Sequence, residues 1–67
     1  NIFDSEIKNI KANVFRNKEI IKTVQFLYNP VSGYYFSQFE ANDFGDYNFD
    51  IINNNKIIDT INVNIYD

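Results

Sequence analysis

Two stretches near the C-terminus alternate apolar and polar residues with a period of two. One is Tyr47-Asn48-Phe49-Asp50-Ile51 and the other is Ile61-Asn62-Val63-Asn64-Ile65. Only an extended chain puts every second side chain on one face, so each stretch predicts a strand with one buried and one wet face. The residues between them include Asn53-Asn54-Asn55. Asn tolerates the left-handed backbone that a tight connection needs, so the two strands are expected to form a hairpin. Upstream, residues 34–40 read as a third strand, with Tyr35 and Phe39 on one side and Phe36 and Gln38 on the other. A turn over residues 29–33 precedes it, where Pro30 fixes φ and Gly33 permits a positive φ. Residues 23–28 form a fourth expected strand, with Val24, Phe26 and Tyr28 on one face.

The first twenty-two residues support two readings. Ile10, Ala12 and Val14 alternate as in a strand. Phe3, Ile7, Ile10 and Val14 also recur at helical spacing, with Asp4 or Ser5 placed to cap such a helix. Everything downstream is β, which favours the strand. The expected core is Phe26, Tyr35, Phe39, Tyr47, Phe49, Ile51, Ile61, Val63 and Ile65.

A chain of 67 residues allows one domain, residues 1–67. At this size folding buries only about 60% of the unfolded surface, and small domains usually recruit disulfides, a metal or a partner to compensate. This chain has no Cys and no His. That removes disulfides, thiolate nucleophiles, zinc sites and histidine-based catalysis, and no cofactor is expected. With 45% hydrophobic and 18% aromatic residues it is too apolar for disorder. Its net charge of −3 gives no footprint for nucleic acid. No apolar run approaches the roughly 20 residues that span a bilayer as a helix, so no membrane insertion is expected. The chain begins at Asn1 rather than Met, as an excised or processed piece would.

Asp43-Phe44-Gly45-Asp46-Tyr47-Asn48-Phe49 carries the most specific pattern. Asp-x-Gly-x-Tyr resembles the tyrosine corner that opens the penultimate strand of immunoglobulin-like sandwiches, where the ring packs inward and the hydroxyl bonds back to nearby backbone. In antibody-type domains a Cys stands two residues after the Tyr; here Phe49 takes that place. The wider run from Ser32-Gly33-Tyr34-Tyr35-Phe36 through Gly45-Asp46-Tyr47 to residues 57–65 resembles the C-terminal half of a filamin-type repeat. The resemblance covers residues 23–67. It implies an all-β, antiparallel immunoglobulin-like sandwich with a structural corner made by Asp43, Gly45 and Tyr47. Two departures accompany it. The Pro-Phe element before the last strand is replaced by Asp59-Thr60-Ile61, and a complete repeat runs to about a hundred residues and seven strands. The expected fold is therefore a reduced or incomplete sandwich of about five strands.

Candidate sites follow from side-chain chemistry. Glu40, Asp43, Asp46 and Asp50 cluster around one turn and carry the oxygen ligands that calcium uses, but no Asp-x-Asp-x-Asp-Gly loop exists. They read as a solvated acidic loop, and no metal site is expected. As an acid/base pair they would lack a cleft. Tyr28, Tyr34, Phe36 and Phe44 are the candidate partner surface, since exposed aromatics grip proteins or stack sugars, although packing into the core or the turns is the reading that their residue type favours. Lys8, Lys11, Arg16, Lys18 and Lys22 are five of the six basic residues, and six of the nine acids lie beyond position 22. That asymmetry reads as a solvated face or as a means of orienting stacked repeats.

No catalytic constellation is present, so the leading expectation is a non-catalytic structural and protein-interaction module. It would be one repeat, or part of one, in a larger surface, cytoskeletal or virion assembly. Its partners would be other protein chains or neighbouring domains joined by strand-edge pairing. If the filamin-type resemblance holds, an added strand would lie beside residues 10–15 or 23–28. The competing expectation is a carbohydrate-binding or adhesion module that uses the aromatics on a glycan.

Overall fold

The computed structural model describes residues 9–66. It is all-β, with antiparallel pairing throughout. The strands are β1 (Ile10–Arg16), β2 (Glu19–Gln25), β3 (Leu27–Asn29), β4 (Tyr34–Phe36), β5 (Gly45–Asn53) and β6 (Lys56–Ile65). Four of them make one sheet in the order β2-β1-β5-β6, and β3 and β4 make a second, two-stranded sheet. The result is a small, incomplete β-sandwich.

The period-two pattern sorts the larger sheet into two faces, because directly opposed residues on paired strands share a side. Ala12 pairs with Val24 and Ile51, Val14 with Phe49, and Phe49 with Ile61. These residues, with Ile10 and Tyr47, form the apolar face. On the other face Thr23, Asn13, Asp50 and Thr60 lie in one row across all four strands. The Thr23 hydroxyl donates to Asn13 Oδ1 at 2.8 Å and the Thr60 hydroxyl to Asp50 Oδ1 at 3.1 Å. One row on, Asn62 Nδ2 donates to Asn48 Oδ1 at 2.8 Å. This face keeps its polar groups bonded to one another while facing water.

The strand reading of Ile10, Ala12 and Val14 is the one adopted. β1 is an inner strand with β2 and β5 on either side, and all three residues are buried. The proposed cap, Asp4 or Ser5, lies outside the described residues. The expected hairpin is present: β5 and β6 turn through Asn54 and Asn55 at φ 53° and 63°. Two positive φ values in a two-residue loop match the right-handed twist of the strands they join. Residues 29–33 turn as expected, with Gly33 at φ 80° and its amide donating to the Asn29 carbonyl at 2.7 Å.

Three expectations need correction. The strand assigned to residues 23–28 is two strands interrupted at Phe26. The Phe26 amide still bonds the Ile10 carbonyl at 2.9 Å, after which the chain leaves the large sheet to pair as β3. β2 also begins earlier, at Glu19, because Asn17 and Lys18 at φ 50° and 72° close a second tight hairpin. The strand assigned to residues 34–40 ends at Phe36. From Ser37 the chain crosses the apolar face, where the Phe39 ring lies 5.8 Å from Tyr47 and 5.7 Å from Phe49. Packing against those rings outweighs continuing a short two-stranded ladder. Finally, Ile61 and Val63 were expected in the core, yet they are 47% and 40% exposed. β6 is an edge strand, paired on one side only among the described residues.

Candidate functional site

The corner before β5 is built around a single glycine. Gly45 sits at φ 148°, and a Cβ there would stand 3.1 Å from both Arg16 Nε and Asn17 Oδ1. The open space lets the β1–β2 turn close onto the start of β5. Arg16 Nε donates to the Phe44 carbonyl at 2.8 Å, the Asp46 amide donates to Asn17 Oδ1 at 3.0 Å, and the Asn17 amide donates to the Asp46 carbonyl at 2.8 Å. Tyr47 then enters the apolar face, 1% exposed. Its hydroxyl donates to the Asp43 carbonyl, four residues upstream, at 2.7 Å. A buried phenol thus meets its one polar requirement on the loop that crosses above it.

The four candidate surface aromatics do not form one patch. Tyr34 and Phe36 lie on the same face of β4, opposite Asn29 and Leu27. Tyr34 is 74% exposed, and Leu27 and Phe36 are also exposed. Tyr28 is on the reverse face of that hairpin, half-buried, with its ring centroid 5.0 Å from Tyr35. Phe44 is exposed but belongs to the corner beside Arg16. The surface that remains is Leu27, Tyr34 and Phe36. Leu27 was not among the candidates; the signal that could have found it is its cross-strand place opposite Phe36, which only the register shows.

The acidic residues disperse. Asp46 Oδ1 accepts the Tyr66 hydroxyl at 2.8 Å, while Asp50 accepts from Thr60 on the polar face. The hydrogen bond to Asp46, with some desolvation and the Asp46 charge, raises the Tyr66 pKa above its ordinary value. Among the described residues no group of three or more Asp or Glu side chains converges as a metal would require.

Among the described residues, two edges of the large sheet lack a neighbouring strand, β2 and β6. β1 is paired on both sides, so residues 10–15 present no edge to an added strand, contrary to one of the two positions expected. The other position, residues 23–28, covers the end of β2 and the start of β3, each paired on one side only among the described residues. Beside β2 runs a cleft of about 380 Å³ lined by Lys22, Thr23, Val24, Gln25, Leu27, Phe36, Ser37 and Gln38. A second, more apolar groove of about 290 Å³ lies over the sheet face between Val24, Phe26, Phe39, Phe49, Ile51 and Ile61. In comparison with known proteins, the chain matches no family model, no curated protein and no solved structure.

Proposed function

We propose that this chain is a non-catalytic structural module that binds neighbouring protein chains by strand addition at a sheet edge. The observation that carries the reading is the unpaired β2 edge lying alongside a cleft walled by Leu27 and Phe36. An added strand draws affinity from backbone hydrogen bonds and specificity from pockets that take alternate side chains. The β2 edge supplies the first and the cleft the second. The resemblance of residues 23–67 to the C-terminal half of a filamin-type repeat supports the same reading. So does the Tyr47–Asp43 hydrogen bond, which has the form of an immunoglobulin-type tyrosine corner. In such a module the incomplete second layer leaves apolar surface for a partner to cover.

The test is selection from a displayed library of extended peptides, followed by amide chemical-shift mapping of a selected binder. Shifts are expected along Glu19–Gln25 and at Leu27 and Phe36. A library that yields no binder, or binders that map to the polar face, overturns the reading. The exposed pair Tyr34 and Phe36 favours a second reading, stacking on a glycan. Glycan-array binding lost in both Tyr34→Ala and Phe36→Ala would select it over strand addition.

A further inference from the structure

We propose that the β6 edge is a self-association site, at which two copies pair their β6 strands antiparallel about a two-fold axis through Val63. The inference deepens the strand-edge reading and rests on it, naming a second copy of the chain as the occupant of this edge.

The first argument is the order of residues. Ile61-Asn62-Val63-Asn64-Ile65 reads the same in both directions. An isologous contact sets each residue against its symmetry-related counterpart, so an antiparallel edge must be self-complementary on reversal. Centred on Val63, the pairing places Ile61 opposite Ile65 of the partner subunit, Asn62 opposite Asn64 of the partner subunit, and Val63 opposite itself. Apolar residues then meet only on the apolar face and Asn only on the polar face. Moving the axis midway between Asn62 and Val63 sets Asn against Val and mismatches both faces. Moving it to Asn62 keeps the faces but brings Asp59 against Ile65 of the partner subunit. The Val63 axis alone matches every residue pair of this stretch.

The second argument is charge. The chain carries a net charge of −3, so two copies repel unless they meet where charge is absent. No charged residue occurs between Asp59 and Asp67, and the Val63 axis confines the pairing to that stretch, because beyond each end it would set Asp59 of one copy level with Asp67 of the partner subunit, a like-charge pair that stops the ladder there. The β2 edge, by contrast, carries Glu19 and Lys22 within its strand. Charged side chains on an edge restrict which strands can add to it, so β2 suits a partner of complementary sequence. β6 is the longest strand of the fold and carries no charge over residues 60–65. The third argument is exposure: Ile61 and Val63 are the apolar-face residues left open, and a strand at this edge continues the sheet beneath them. A seam one strand long is small beside the ~800 Å² per partner of a stable interface, which makes the dimer concentration-dependent.

Sedimentation of the purified chain over a wide concentration range, combined with cysteine scanning, tests this. The chain has no Cys, so each introduced thiol reports alone. Opposed residues of an antiparallel pair lie within the Cα range that a disulfide spans. The mass should rise from monomer to dimer and stop there. Val63→Cys should oxidise to a covalent dimer several times faster than Val31→Cys, which sits in an exposed turn. Val63→Lys, which opposes two like charges on the axis, should hold the chain monomeric with an unchanged circular dichroism spectrum. The cysteine scan decides the matter even if that variant unfolds. A monomer at every concentration, with Val63→Cys no faster than Val31→Cys, overturns the proposal. So does growth beyond the dimer, or a dimer that cross-links through Thr23→Cys on β2 instead. In the monomer case peptide binding mapped to β2 keeps the strand-edge reading, and its absence removes both.

Discussion

Replacing Tyr47 by Phe removes one oxygen and tests the corner directly. The ring is 1% exposed and its hydroxyl donates to the Asp43 carbonyl at 2.7 Å. The ring's own burial is retained in Phe, so only the hydrogen bond changes. Losing an intramolecular bond costs about 0.5–1.5 kcal/mol, and more where the abandoned partner stays dry. Asp43 is exposed, so water can reach its carbonyl, and the expected loss is about 1 kcal/mol. A domain of this size has about 3–10 kcal/mol in total, so the change is visible without unfolding the chain. It corresponds to a fall in Tm of about 4–8 °C. With a small-protein urea slope of about 1 kcal/mol per molar, the midpoint should move by about 1 M. Tyr66→Phe is the matched control: the same oxygen is removed from a ring that is 64% exposed, so its midpoint should move less than that of Tyr47→Phe. Tyr47→Ala should cost about 3–5 kcal/mol, comparable to the whole stability. The reasoning is refuted if the urea midpoints of Tyr47→Phe and Tyr66→Phe coincide.

Lys18→Gly should raise the urea midpoint, because Lys18 holds φ 72° in a two-residue turn where glycine carries no Cβ clash. The gain is about 0.5–1 kcal/mol after glycine's extra chain entropy is subtracted, and a lowered midpoint would show that the turn is not strained. Tyr66 should titrate above its ordinary value because the bond to Asp46 requires the phenolic proton. Its folded pKa is the raised one, so its contribution to stability is complete below the unfolded value and is lost as pH rises through the folded value. In a phenolate absorbance titration, read as the difference from Tyr66→Phe, Asp46→Asn should bring the midpoint down, and an unmoved midpoint counts against the contact.

Local chemistry was enough to read part of this fold. The alternations at Tyr47–Ile51 and Ile61–Ile65 lie within β5 and β6 because a period of two has only one backbone solution. Asn54-Asn55 and Gly33 turn where they should, since their residues tolerate positive φ. Asn17-Lys18 escaped notice for the complementary reason: Lys has no intrinsic preference for that geometry, and the pairing of β1 with β2 imposes it. Of the surface candidates, Tyr34, Phe36 and Phe44 are exposed, against the core or turn packing that aromatic side chains favour by type alone. That Tyr28 turns away to stack on Tyr35, and that Leu27 joins Phe36, depends on register across a three-residue ladder.

What residue type and spacing determined was the all-β class, the facing of the alternating strands and the turns with their own conformational preference. What only the tertiary structure decided was which of those faces is covered. Ala12-Asn13-Val14 and Ile61-Asn62-Val63 carry the same local pattern, yet Ala12 and Val14 are buried while Ile61 and Val63 are open. Burial depends on neighbours brought in from distant parts of the chain. β1 has a strand on each side, and Phe39 packs over the β5 residues Tyr47 and Phe49. Among the described residues β6 has one neighbour and an open edge, a difference set by the strand order β2-β1-β5-β6 and invisible to any pattern confined to five residues.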